Sequence, residues 1–161
     1  MRTVLLLSLA VGVLAAATPA GSAVKPQKIS LLEVENTVVG TGGFNPTGNT
    51  PPTPGQGFVI GSDFYRWKSG QRGTHAGTLR AVCTLTDINI QRGVGHLLCT
   101  GVASLTGGQL LVSGLVPFGD RFVIPIAGGT GVYAGATGYV RIKNIGGEDS
   151  GKSADLFVIT G

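Results

Sequence analysis

The sequence is poor in charge. Asp, Glu, Lys and Arg together make up 12% of its 161 residues, about half the share of an average globular chain. It has one tryptophan, one methionine and two cysteines. Its basic residues stand singly, from Lys25 and Lys28 through Arg66, Lys68, Arg72 and Arg80 to Arg141, Lys143 and Lys152. No run of them could follow a phosphate backbone, which excludes nucleic acid as a partner. Beyond residue 24 no segment spaces its apolar residues at helical intervals, so an all-α fold is excluded. No Gly-x-Ser-x-Gly is present, and with it goes the strained elbow that serine hydrolases use. Gly128-Gly129-Thr130-Gly131 runs into Val132-Tyr133-Ala134-Gly135-Ala136 and then into another strand-like stretch. A phosphate loop needs a helix N-terminus at that point, so a nucleotide site is excluded too.

Long hydrophobic runs are also missing, apart from one of about 14 residues, Val4–Ala17, short of the ~20 that a bilayer-spanning helix requires. It follows a basic start at Arg2 and leads into Thr18-Pro19-Ala20-Gly21-Ser22-Ala23. Basic start, short apolar core and small-residue exit describe a secretory signal peptide at residues 1–23. Cleavage is placed after Ala23, with Ala20 as the alternative and an uncleaved anchor as the competing reading. Residues 24–161 then form a single domain of roughly 138 residues with a net charge near +3 and no membrane span. The chain is read as secreted or extracytoplasmic.

What the sequence has in abundance is glycine, 28 residues, roughly 17% where about 7% is usual. With 42% hydrophobic residues the chain has enough apolar surface to fold, so the glycines mark turns rather than disorder. Short apolar runs bounded by Gly, Pro, Asn, Asp or Ser read as eight strands: Ile29–Asn36, Gly57–Lys68, Thr78–Ile90, His96–Leu105, Gln109–Phe118, Arg121–Ala127, Ala136–Ile145 and Ala154–Thr160. Eight strands joined by short turns imply an all-β, antiparallel up-and-down barrel with a side-chain-filled or ligand-sized interior. Closure also removes exposed sheet edges. Residues 40–57 (GTGGFNPTGNTPPTPGQG) are instead a Gly/Pro-rich loop, either a mobile spacer or a lid over the barrel mouth with Phe44 as its aromatic.

Cys83 and Cys99 flank the turn residues Gln91–Gly95, and a turn centred on Gln91–Gly93 sets them nearly opposite each other on one sheet face. Outside the cytoplasm such a pair implies a disulfide. A free thiol pair and a zinc site with His75 and His96 are the rival readings, although the spacing matches no compact zinc pattern, and no metal is expected. His75 and His96 read as turn residues. In the second strand Val59, Gly61, Asp63, Tyr65 and Trp67 share one face, while Phe58, Ile60, Ser62, Phe64 and Arg66 share the other. Both faces carry apolar residues, which implies that part of the outside is covered by self-association.

The stretch GGTGVYAGATGYV, with Gly128, Gly129, Gly131, Gly135 and Gly138, resembles the signature of the dirigent and allene oxide cyclase superfamily. The likeness extends over residues 29–161, through the Gly-rich loop, Asp63-Phe64-Tyr65, the segment Gly77–Cys83 and the Gly107–Gly114 strand, and is greatest to secreted bacterial members. It implies an eight-stranded barrel that forms homotrimers. It also implies chemistry without a cofactor, in which a pocket holds a hydrophobic small molecule folded while a ring closes or two radicals couple. The first-strand glutamate of allene oxide cyclases has its nearest match in Glu33; where they have Asn two residues on, this chain has Glu35. The acid usual at the start of the second strand is replaced by Gly55-Gln56-Gly57. Glu33, Asp63 and Tyr65 are the leading candidates for charge stabilisation and orientation, with Glu35, Arg80, Asp87 and Tyr133 behind them. Glu33 and Glu35 are expected to divide between the two faces of their strand. Competing functions are a non-catalytic carrier of an apolar ligand and a structural envelope-associated protein.

Overall fold

A computed structural model describes residues 24–45, 50–146 and 150–161; the expected signal segment lies outside them. Eight antiparallel strands, each hydrogen-bonded to the next, close into one barrel. They are β1 (Gln27–Thr41), β2 (Gly57–Lys68), β3 (Gln71–Asn89), β4 (Val94–Leu105), β5 (Gly108–Pro117), β6 (Arg121–Gly129), β7 (Thr137–Asn144) and β8 (Lys152–Thr160). Number, order and antiparallel sense are those expected from the sequence, and β1 pairs with β8 to complete the ring.

Alternation decides what each strand places inside. Ile29, Leu31, Phe64, Ala103, Leu110, Ile126, Val140, Phe157 and Ile159 point inward and fill one end of the barrel. Phe64 and Phe157 meet edge-to-face there, with ring centroids 5.7 Å apart. The glycine signature seals the same end. Gly131 has φ +61° and Gly138 φ +126°. A Cβ at either would stand 2.2 Å from the Gly107 carbonyl or 2.0 Å from the Val158 carbonyl, distances no side chain can adopt. Glycine therefore lets the β6–β7 connection lie flat on the β4–β5 turn, held by Val132 N–H donating to the Gly107 carbonyl at 2.9 Å. It also lets Tyr133 turn inward as a buried plug whose hydroxyl donates to the Thr106 carbonyl at 3.4 Å.

Cys83 and Cys99 stand directly opposite each other on β3 and β4 and form a disulfide with S–S 2.04 Å, the pairing expected from the hairpin register. Two local expectations are corrected. His75 and His96 are strand residues, paired with Tyr65 on β2 and Asp87 on β3. The polar stretch Gln71–Ala76 looks like a turn in sequence, but it pairs with β2 in a long hairpin that is exposed along much of its length. Glu33 and Glu35 do not divide between faces. They are two residues apart, so the pleat sends both inward, and the β1 register slips only after Glu35, at a bulge before Thr37.

Candidate functional site

The other end of the barrel is hollow. A cavity of about 240 Å³ is walled by Ile60, Leu79, Ala81, the Cys83–Cys99 pair, Val112, Val116, Phe122, Ile124 and Ile142, with Glu33, Glu35, Asn144, Ser150 and Ser153 at its polar side. Towards the mouth it meets a vestibule of about 300 Å³ bounded by Phe58, Leu97, Phe118 and Phe122. Described parts of the 40–57 loop lie against this rim. Phe44 sits 6.1 Å from Phe58, and the Gly55 N–H and the Gln56 carbonyl bond the backbone of Leu85, each at 2.8 Å. These contacts tie the described ends of the loop to the barrel beside the vestibule.

The polar side is built from three strands. Ser62 on β2 donates to Glu33 Oε1 at 2.6 Å. On β8, Ser153 Oγ lies 2.6 Å from Asp155 Oδ1 and 3.4 Å from Glu33 Oε2, so its single proton goes to the nearer carboxyl. Asp155 is only 2% exposed, lies behind the cavity wall, and has its pKa raised well above the usual carboxylate range. Burial is the first cause, the neighbouring Glu33 charge the second; the bond to Ser153 opposes them, and the bond to Glu33 adds to the rise. Burial and the adjacent Glu33 thus bias Asp155 toward its neutral, protonated form, with a hydrogen bond linking the two carboxyl groups. Glu35, exposed at the cavity edge, also has a raised pKa, from partial burial first and from Glu33 second. The result is a Glu33 carboxyl at the polar side of the cavity, held between Ser62 on β2 and the Ser153–Asp155 pair on β8. A carboxyl so placed can exchange a proton or stabilise positive charge.

This arrangement has a pH signature. The unfolded chain loses the Asp155 proton near the ordinary value of 3.8, while the folded chain retains it. The group's stabilising contribution is thus fully present below that pH and is lost as pH rises toward the folded-state value. Asp155→Asn keeps a donor and removes the charge. Thermal unfolding from pH 4 to 8 should show the wild type losing stability with rising pH relative to this variant, and parallel profiles would refute the buried proton. Glu35 contributes with the same sign in both proteins and cancels in the comparison.

Of the residues singled out in sequence, Glu33 and Glu35 line the cavity. Asp63 and Tyr65 do not: they alternate with Ser62 and Phe64 and so project from the outer wall. There Asn36 donates to Asp63 Oδ2 at 3.2 Å, and the Arg72 guanidinium lies 3.4 Å from the Tyr65 ring centroid. Arg80 alternates with the inward Leu79 and Ala81 and donates to the Leu79 carbonyl at 2.7 Å. Asp87 is exposed, 2.9 Å from His96 Nδ1, and Tyr133 plugs the opposite end. Ser62, Ser153 and Asp155 escape the sequence reading. Parity with Phe64 and Phe157 is the only sequence signal for them. Among the described residues no group of His, Cys, Asp and Glu side chains could hold a metal ion.

Eight antiparallel strands thus close into a barrel that is plugged at one end and hollow at the other. The sequence matches no family model and no curated protein, but the fold has clear counterparts. Pyocyanin demethylase superposes with a TM-score of 0.65 at 18% identity, over 83% of this chain and 100% of that one. AbnU, an exo-specific intermolecular Diels-Alderase, gives 0.62 at 15% identity over 85% and 99%. A pterocarpan synthase dirigent protein gives 0.60 at 13% identity over 87% and 99%. At these identities the likeness establishes the shared barrel fold.

Proposed function

We propose that the protein is an extracytoplasmic barrel that admits a small hydrophobic molecule and steers its ring closure or isomerisation without a cofactor. Glu33 serves as the proton acceptor or charge stabiliser, and Ser62, Ser153 and Asp155 hold it in place. The observation that carries this reading is the hydrogen-bonded Glu33 carboxyl at the polar side of a cavity whose remaining wall is mostly apolar. A barrel that merely carried an apolar ligand would gain nothing from an ionised group in its wall, and burying one is costly. A structural barrel would have no reason to stay hollow. The apolar walls would hold the substrate folded and dry while the carboxylate acts where charge develops. The named activities of the Diels-Alderase and dirigent neighbours are of this kind.

Export fits the same reading: residues 1–23 as a leader, residues 24–161 as the mature barrel, and the disulfide as a bond formed outside the cytoplasm. A trimer is supported by the outer wall, where Val39, Val59 and Val82 pair across three strands and are all exposed.

Incubation with apolar polyunsaturated and phenolic candidates, followed by chiral product analysis, tests the chemistry. Wild type should bias the product distribution, and Glu33→Gln should lower the rate by at least about 100-fold, the scale of a lost general base. Substrates that bind with no change in product distribution would leave a carrier. Light scattering that returned a monomer would remove the trimer.

A further inference from the structure

The cavity has a definite charge, opposite in sign to that of the whole chain. The protein carries a formal +4, yet among the described residues the ionisable ones at the cavity are Glu33, Glu35 and Lys152, with the buried Asp155 behind them. Lys152 belongs to the face of β8 opposite Ser153 and Asp155 and is exposed, so the strand alternation turns its side chain away from the interior. β2 contributes only the Ser62 hydroxyl to Glu33, and β8 only Ser153 and Asp155. The remaining wall, from β3 to β7, is aliphatic apart from Phe122, the cystine and Asn144. Among the described residues the Glu33 carboxyl therefore has hydrogen-bond donors but no ion-pair partner, in a chamber where an unpaired charge is costly.

We propose that the missing partner is supplied by the ligand: the cavity takes a hydrophobic amine, a compact apolar skeleton with one protonated or quaternary nitrogen seated against Glu33. This rests on the cavity being a ligand site, as argued above, and narrows its substrate class. A protonated nitrogen completes the buried ion pair, while the skeleton fills the space between Leu79, Val112 and Ile124. An anionic amphiphile of the same shape meets two glutamates instead. The volume of about 240 Å³, just under the ~300–1,000 Å³ typical of drug-sized ligands, suits one or two rings. General attraction of cations to the protein cannot produce this preference, because its overall charge repels them.

Three probes with one skeleton decide the matter: 3-phenylpropylamine, 3-phenylpropanol and 3-phenylpropanoate, titrated calorimetrically into the full chain at neutral pH. The amine should bind at least tenfold more tightly than the alcohol, a difference of about 1.4 kcal/mol, and the carboxylate more weakly than either. In Glu33→Gln the amine-to-alcohol ratio should fall to within about twofold of unity. Equal binding of amine and alcohol to the wild type overturns the proposal without need of any variant, and so does a preference that survives Glu33→Gln. If none of the three binds, the cavity reading falls with it, an outcome distinct from binding without charge preference.

Discussion

Truncating Phe157 to alanine is expected to lower stability by about 3–5 kcal/mol, the cost of emptying a large aromatic site in a packed core. Phe157 is 2% exposed, and its edge-to-face partner Phe64 is 1% exposed. Both are two residues along their strands from members of the carboxyl cluster, Phe157 from Asp155 and Phe64 from Ser62. Together they form the layer directly beneath that cluster. A melting temperature lower by roughly 10 °C should be seen for a domain of this size. The variant should also show a cavity that extends toward the plugged end, with larger apolar probes gaining affinity over small ones. A double-mutant cycle through Phe64→Leu and Phe157→Leu should return a coupling of about 0.5–1.5 kcal/mol, the range for aromatic pairs. A loss under 1 kcal/mol for Phe157→Ala would mean that the barrel floor is not packed as described.

The second large effect is that of the cross-strand disulfide. Cys83 and Cys99 are 16 residues apart, and closing a loop of that size limits the unfolded chain enough to contribute about 3 kcal/mol. The double variant Cys83→Ala/Cys99→Ala should lose that amount in denaturant unfolding with a steeper slope, because the unfolded chain is freed to expand while the β3–β4 register is independently held along the hairpin. Alanine is the suitable replacement, since a serine would bury a hydroxyl in an apolar wall. The same cystine lines the cavity, so the variant should also show altered ligand affinity, which a disulfide remote from the site would not. Native protein should gain two hydrogens in mass on reduction and show no thiol that alkylates beforehand. Unchanged stability would show that the bridge limits neither state.

Much of this molecule can be read from short-range sequence alone. The number and order of strands follow from apolar runs between glycines, although β1 extends to Thr41 and β3 begins at Gln71, and the hairpin between β3 and β4 follows from Gln91–Gly95. The opposition of Cys83 and Cys99 then follows by counting residues back from that turn. Glu33 is singled out by its place on the first strand and a family likeness, and it lines the cavity. Asp63 and Tyr65 were misplaced because a single strand displays two faces, and nothing within β2 states which one closes inward. The inner face belongs to Phe58, Ile60, Ser62 and Phe64, as the packing of Phe64 on Phe157 across the barrel requires. Asp155 had no signal beyond its parity with Phe157, since an isolated acid in Lys152–Thr160 reads as a solvated strand residue.

The sequence by itself thus determined the strands, their turns, the cystine and the glycine-sealed end, because pleat and turn conformation depend on neighbours a few residues away. Only closure of the barrel determined the site. The pairing of β1 with β8 brings Ser153 to Glu33 across 120 residues of chain and buries Asp155 beside it. The burial that raises the Asp155 pKa, and its pairing with Glu33 at the cavity, exist only once the first and last strands meet.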